Sequence, residues 1–362
     1  MRMPQFLDTA EGAAEGAAKQ VRCSLCPRAC LIQNGKFGAC GIRGNKNGSA
    51  LIPYYGHITA LAMDPIEKKP LYHFRPGSSI LSLGFSGCNL NCPFCQNWRI
   101  SQNPDAPGRK MPPSGIISLA LREMPEKPAI AYTYSEPLVH AEFLLDCMTL
   151  ARRHGIANVL VSNGCISTPA AREILSLTDA ANIDLKCFSA DGYAKILGGS
   201  LDTVLDFIRL AYKLGVHLEI TTLVVPQFND TDGELDGIAQ FIAGIDGGNK
   251  PGADRRRAEE NTHTGEIPWH LSAYHPDYRW NAPPTDPELL RETALRGRAI
   301  LRYVYTGNIA GEDNDTLCPS CGAVLIKRRG YTVNAEGLAA PLPGEKYYCC
   351  GRCSQNAPVI AS

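Results

Sequence analysis

The run Ser86-Gly87-Cys88-Asn89-Leu90-Asn91-Cys92-Pro93-Phe94-Cys95-Gln96-Asn97-Trp98 decides how this chain is read. It sets three thiols at the spacing C-x3-C-x2-C, directly after an apolar, strand-like stretch at Ile80–Phe85. Three thiolates on one loop can take three irons of a cubane and leave the fourth iron open to a small ligand. Thiolates suit iron–sulfur clusters and zinc alike. Structural zinc is normally closed by four ligands, and no fourth ligand stands near this loop. An open cluster is the expectation.

Outward from the loop, short β-branched runs alternate with longer amphipathic ones. Strands are expected near Ile80–Phe85, Ala129–Thr133, Asn158–Val161, Ala181–Leu185, His217–Val225 and His270–Ala273. Helices are expected near Gly115–Met124, Leu138–His154, Pro169–Leu177, Leu201–Leu214 and Thr231–Ile245. Strand and helix in repetition imply parallel pairing with right-handed crossovers. The expected fold class is α/β, a partial (β/α)6 TIM-like barrel. In such a barrel, chemistry sits at the C-terminal ends of the strands. Polar candidates stand there: Ser135 and Glu136, Asn163, Asp184 and Lys186, and His270 or His275. Asp184 and Lys186, two apart on a strand, can both face the barrel mouth. Glu136 also suits the start of the helix that follows it.

The fifteen cysteines fall mostly into three sets. Besides the central loop, Cys23, Cys26, Cys30 and Cys40 share a glycine-rich segment that permits the tight folding of a metal knuckle. Cys318-x2-Cys321 and Cys350-x2-Cys353 make two knuckles in the form of a zinc ribbon, with Cys350 preferred to Cys349 because the second then repeats the first. Zinc and an auxiliary iron–sulfur cluster both suit either four-cysteine set. Cys147, Cys165 and Cys187 stand alone and read as core fillers.

Thirty-six basic residues cancel thirty-six acidic ones, so no net field draws the chain to nucleic acid or anionic lipid. No run approaches the ~20 apolar residues that span a bilayer, and no export signal heads the sequence. A cytoplasmic protein with neither membrane nor nucleic-acid partner is expected. Four regions follow: a flexible tail at 1–20, a four-cysteine module and lead-in at 21–79, the barrel at 80–310 with a polar surface insertion at 247–267, and a ribbon-like module at 311–362.

The central loop resembles that of the radical S-adenosylmethionine (SAM) superfamily, C-x3-C-x-aromatic-C, with Phe94 in the aromatic place. The resemblance implies a [4Fe–4S] cluster on Cys88, Cys92 and Cys95, with SAM chelating the open iron. Reductive cleavage would then give methionine and a 5′-deoxyadenosyl radical that takes hydrogen from an unidentified substrate. Where the superfamily shows Gly-Gly-Glu, this chain has Ser135-Glu136, keeping the carboxylate that meets the SAM amino group and losing the glycine. By similarity to glycyl-radical activating enzymes, Asn163 and Asp184 would bond ribose or backbone groups of SAM. Lys186 would pair with its carboxylate, and His275, chosen over His270, would approach its adenosine.

The segments Tyr54-Tyr55-Gly56-His57, Asp64 to Phe74 and Tyr134-Ser135-Glu136-Pro137 resemble the radical SAM member of the AmmeMemoRadiSam system. That family is related to pyruvate formate-lyase activating enzymes, and the resemblance covers about residues 20–355. It implies Memo-like and AMMECR-domain proteins as partners, with ferredoxin or flavodoxin as electron donor. Two other readings stay open at this point: a glycyl-radical-enzyme activating enzyme, and a zinc-ribbon adaptor without catalysis.

Overall fold

Strands buried on both faces build the centre of the molecule. In the computed structural model, which describes residues 5–9, 20–245, 267–311, 314–341 and 345–361, eight strands form one sheet. They are β1 (Ala60–Pro65), β2 (Ser79–Gly84), β3 (Ala129–Thr133), β4 (Ala157–Ser162), β5 (Ala180–Asp184), β6 (His217–Val224), β7 (Trp269–Ala273) and β8 (Val304–Gly307). Neighbours in sequence are neighbours in the sheet, and β1 and β8 are its two ends. All pairs are parallel except β1 with β2. Most of the expected tail at 1–20 and all but Ile267 of the expected insertion at 247–267 lie outside the described residues.

Where the sequence predicts six parallel strands, the structure has seven, together with an antiparallel edge. The additional parallel strand, β8, is four residues long and too short to carry a period. Helices α1 (Pro113–Glu123), α2 (Ala141–Arg153), α3 (Thr168–Leu175), α4 (Leu201–Lys213), α5 (Asp232–Ile245) and α6 (Pro287–Ile300) alternate with the parallel strands. Helix α4 shows why these segments coil. The Ser200 hydroxyl accepts from Thr203 N (3.3 Å), and Leu201, Val204, Leu205, Ile208 and Ala211 make one buried face.

Alternation along the strands divides two cores. Ile130, Tyr132, Leu160, Ala181 and Ile183 join the large core with the helices, while Ile80, Ala129, Ala131, Val159 and Ala180 join a smaller one with Ile66, Leu71 and Phe74. The stretch after β1 therefore lies across the face of the sheet turned away from the helices. Farther along that face the strands turn polar to receive it. Asn182 Nδ2 donates to the Pro70 carbonyl (2.7 Å), and buried Glu219 accepts from the Tyr72 and His73 amides (3.0 and 2.8 Å). His217 and His270 also donate to Glu219 (3.0 and 2.6 Å), and together they hold its carboxyl well below the usual range despite the burial that opposes its charge.

Two small three-stranded sheets at the C-terminus carry the last cysteines. They grip the same stretch: Arg328 donates to the Tyr72 carbonyl (2.6 Å), and His73 Nδ1 to the Pro358 carbonyl (3.1 Å). No helix among the described residues is long and apolar enough to cross a membrane.

Candidate functional site

The three-cysteine loop leaves the end of β2 and is held from several sides. His140 Nε2 donates to the Ser86 carbonyl (2.8 Å), its ring lying 5.0 Å from that of Phe85. Burial lowers this imidazole to about 4, so it is neutral at physiological pH. Asn163, just after β4, donates from Nδ2 to Asn89 Oδ1 (3.0 Å), and its Nδ2 lies 3.7 Å from Cys88 Sγ. Its own Oδ1 accepts from Cys165 N (2.8 Å), so the amide is committed to shaping the loop. Leu90 N donates to Cys88 Sγ (3.3 Å), and Ser101 Oγ stands 3.2 Å from Cys95 Sγ.

Phe94 is buried beneath the loop, 5.0 Å from Phe228 and 6.2 Å from Trp280 between ring centres, and closes the floor against water.

Loop and strand ends enclose a cleft of about 330 Å³. Cys88, Cys92, Cys95, Phe94, Ser135, Glu136, Asn163, Asp184 and Lys186 all line it. His275 does not: it is exposed, and its Nδ1 lies 3.2 Å from Nε2 of Gln96 on the loop. His270 is committed to Glu219 and borders a different cavity. Neither histidine lines this cleft: after β7, Tyr274 is buried and His275 exposed.

The electrostatics of the cleft are those of a site made for a polar, charged ligand. Burial raises the Cys88 thiol well above its ordinary value and Cys92 up to about 12. Only a metal cation that displaces the proton would hold them as thiolates. Lys186 donates to Asp184 Oδ2 (2.8 Å); burial opposes its charge, yet Asp184 and the neighbouring Cys92 and Cys95 raise its pKa. Glu136 accepts from Leu138 N (3.0 Å), Ser162 Oγ (2.7 Å) and Asn163 N (2.9 Å), so it both starts the following turn and faces the cleft. The hydroxyls of Ser135 and Thr221, both lining the cleft, are buried without a hydrogen-bond partner. Three thiols, an ion pair, a carboxylate and two unsatisfied hydroxyls fit a thiolate-bound cluster with a polar, zwitterionic ligand beside it.

Burial raises Glu136 to about 7 from 4.5, against the opposing hydrogen bonds. The native state then binds this proton more tightly than the unfolded chain. Its contribution to stability is present below pH 4.5 and is lost as pH rises through about 7. In the absence of SAM, denaturant melts across this window should show wild type losing roughly 3 kcal/mol relative to Glu136→Gln. Parallel profiles for the two proteins would refute the assignment.

Several wall residues escape the sequence reading. Lys69 is buried, donates to Asp64 Oδ2 (2.7 Å) and sits 4.5 Å above the Tyr134 ring; Lys68 donates to Asp64 Oδ1 (2.9 Å). Thr221 and Ser272 lie inside strands rather than after them. The register supplies the signal that finds Thr221, since it pairs with Asp184. A second cavity of about 580 Å³ shares Lys68, Pro70, Thr221 and Ser272 with the first and extends to Arg328 and Tyr331 of the C-terminal module.

The C-terminal cysteines converge elsewhere. Cys318 Sγ lies 3.6 Å from Cys353 Sγ, and Cys321 Sγ 3.7 Å from Cys350 Sγ; all four atoms fall within 4.8 Å of one another. The two knuckles repeat in detail, with Cys318 N bonded to the Ala323 carbonyl and Cys350 N to the Gln355 carbonyl (2.7 and 2.8 Å). Gly322 and Ser354 take the same left-handed turn after the second thiol of each (φ 69° and 58°). Cys349 faces away and contacts Asn356. This set can bind a metal ion or cluster.

Among the N-terminal cysteines, Cys23 N donates to the Cys30 carbonyl (2.9 Å) and Ala39 N lies 3.5 Å from Cys30 Sγ.

Comparison with known proteins agrees with this geometry. The radical SAM superfamily profile matches residues 83–242. An uncharacterized protein of Methanocaldococcus jannaschii is 41% identical over 339 residues, covering 92% of this chain and 94% of that one. The pyruvate formate-lyase-activating enzyme of Clostridium pasteurianum is 27% identical over 168 residues, 44% of this chain and 68% of that one. The pyruvate formate-lyase 1-activating enzyme of Escherichia coli K12 is 25% identical over 172 residues, 46% and 69% respectively. With three thiols on the loop after β2, strand-end polar groups around a cleft and a full-length relative, this chain belongs to the radical SAM superfamily, whose members use a [4Fe–4S] cluster and SAM.

Proposed function

We propose that Cys88, Cys92 and Cys95 carry the [4Fe–4S] cluster, and that this chain is a SAM-cleaving enzyme of the AmmeMemoRadiSam system. The observation that carries the reading is the joint lining of one cleft by the three thiols, the Asp184–Lys186 pair, Glu136 and two unsatisfied hydroxyls. When bound, the cluster and SAM supply one-electron cleavage to methionine and a 5′-deoxyadenosyl radical. The chain's residues hold and orient. Asn163 and Leu90 N fix Cys88, while Ser101 meets Cys95. Lys186 offers a cation to the SAM carboxylate, and Glu136 an acceptor to its ammonium. Ser135 and Thr221 have free hydroxyls to give the ligand, and Phe94 with Phe228 and Trp280 excludes water below.

We place the substrate in the adjoining cavity toward Arg328 and Tyr331, because it shares a wall with the cleft. Memo-like and AMMECR-domain proteins are the partners of this reading, and ferredoxin or flavodoxin its electron donor. Likeness to pyruvate formate-lyase-activating enzymes favours one second reading, hydrogen abstraction from a glycine of a partner protein. A persistent glycyl radical in the paramagnetic resonance spectrum of such a partner would select it. Anaerobic reconstitution with iron and sulfide, reduction with dithionite and addition of SAM tests both readings. 5′-Deoxyadenosine should form; an intact cluster that yields none would overturn the proposal.

A further inference from the structure

We propose that Cys318, Cys321, Cys350 and Cys353 bind one zinc ion, and that this ion clamps the stretch of chain forming the wall shared by the two cavities. The sulfur separations are those of a single ion. Zinc binds each thiolate at about 2.3 Å, which sets the sulfurs of a tetrahedral site about 3.8 Å apart. The pairs Cys318–Cys353 and Cys321–Cys350 stand at 3.6 and 3.7 Å, and all four sulfurs lie within 4.8 Å of one another. In a cubane each thiolate binds a different iron, and the thiolates stand farther apart than around one ion. All four residues are free thiols.

The module has little interior of its own. The buried members of its core are Cys318, Leu325, Ile326, Cys350, Ala357 and Val359, two of them the cysteines themselves. Units this small normally need a metal or disulfides to fold, and the binding of the ion then supplies folding free energy. Its strands fall into two separate three-stranded sheets. The first knuckle joins two strands of one sheet and the second joins two strands of the other, so an ion between the knuckles ties the sheets together.

Both knuckles lead into strands that grip the stretch crossing the sheet. Cys321 precedes the strand Val324–Arg329, from which Arg328 donates to the Tyr72 carbonyl (2.6 Å). Cys353 precedes the strand Asn356–Ile360. There Ile360 N donates to the His73 carbonyl (2.8 Å), the Ile360 carbonyl accepts from Arg75 N (3.1 Å), and the Pro358 carbonyl meets His73 Nδ1 (3.1 Å). From the other side, Glu219 holds the Tyr72 and His73 amides. Lys68 and Pro70, just before this grip, line both cavities; Lys69 lines the cleft and Tyr72 the second cavity. The ion thus sets two jaws on the wall without touching it. The metal assignment is independent of the chemistry in the cleft, whereas the wall's bearing on the substrate rests on the function proposed above.

The full-length double variant Cys321→Ser, Cys353→Ser should carry about one zinc fewer per chain than wild type, with iron and acid-labile sulfide unchanged. In it, amide hydrogens of residues 66–75 should exchange at least roughly tenfold faster, while those of α2, on the opposite face of the sheet, keep wild-type protection. The same measurements on wild-type protein before and after treatment with a zinc chelator need no variant to fold. Loss of iron and sulfide in place of zinc, or an unchanged metal content, would overturn the assignment. So would loss of zinc that leaves exchange at 66–75 unaltered. Equal acceleration in α2 would overturn the clamp, since the ion would then hold the whole fold. Failure of the central-loop reading would instead show as wild-type protein without iron, leaving the zinc difference intact.

Discussion

Alanine at Cys92 is expected to reduce 5′-deoxyadenosine formation to background while leaving the C-terminal metal in place. Of the three loop thiols, Cys92 is the most enclosed, at 8% exposure, and its charge is felt by Lys186 and Asp184 across the cleft. Removing it takes a ligand from the centre of the loop and a negative charge from beside the lysine. A two-thiol loop cannot hold three irons of a cubane, so the effect should be total rather than graded. The C-terminal thiols, with their own sheets and small core, should bind as before. Nucleoside quantification and metal analysis on the same preparation decide the matter: wild-type cleavage by Cys92→Ala would remove this residue from the ligand set.

The second large effect should appear in stability. Arg43, within the N-terminal module, reaches Glu142 on α2 with both terminal guanidinium nitrogens, Nη1 to Oε2 at 2.7 Å and Nη2 to Oε1 at 2.8 Å. Their side chains are 1% and 2% exposed. Gln5 completes the arrangement, its carbonyl accepting from Arg43 and its amide donating to Glu142 (2.7 Å). Glu142→Ala leaves a guanidinium sealed from water and should cost about 3–5 kcal/mol. The double replacement Arg43→Met, Glu142→Leu removes both charges and should recover most of that loss. Urea melts of the three proteins supply the comparison. Equal destabilisation by the single and double variants would show that packing, not the stranded charge, sets the cost.

The parallel pattern was legible because β-branched runs and amphipathic helices have different periods, and the Ile130/Ala131 and Leu160/Val159 alternations carry enough length to show it. The residues at strand ends were legible for the same reason: once a strand is found, its end is found. What escaped depends on tertiary path. Nothing local in Asn182 or Glu219 distinguishes a polar surface residue from one that receives another part of the chain; only the course of Ile66 to Phe74 across the sheet explains them. The edge strand β1, for which no strand was expected, ends in Asp64 and Pro65 and is held by pairing with β2. Helix α6 does carry its start signal, Asp286 capping Glu288 N (2.9 Å) with Pro287 following. Its buried face is Leu290, Thr293, Ala294 and Gly297, and the threonine and glycine on it dilute the period. Sequence order after β7 does not reveal that Tyr274 is buried and His275 exposed.

Arg328 ties these parts together. Its guanidinium lies 4.4 Å from the Tyr72 ring and donates to the Tyr72 carbonyl, to Thr316 (2.7 Å) and to the Asn314 carbonyl (3.1 Å). It belongs to the C-terminal module by sequence and to the wall of the second cavity by position. Arg328 thus fastens the C-terminal segment to the stretch that crosses the sheet. A change at Arg328 strands partners on two segments far apart in the chain, so substitutions at Arg328, Tyr72 and Thr316 should co-vary across relatives. The metal-binding tail and the strand-crossing stretch would then be inherited as one unit.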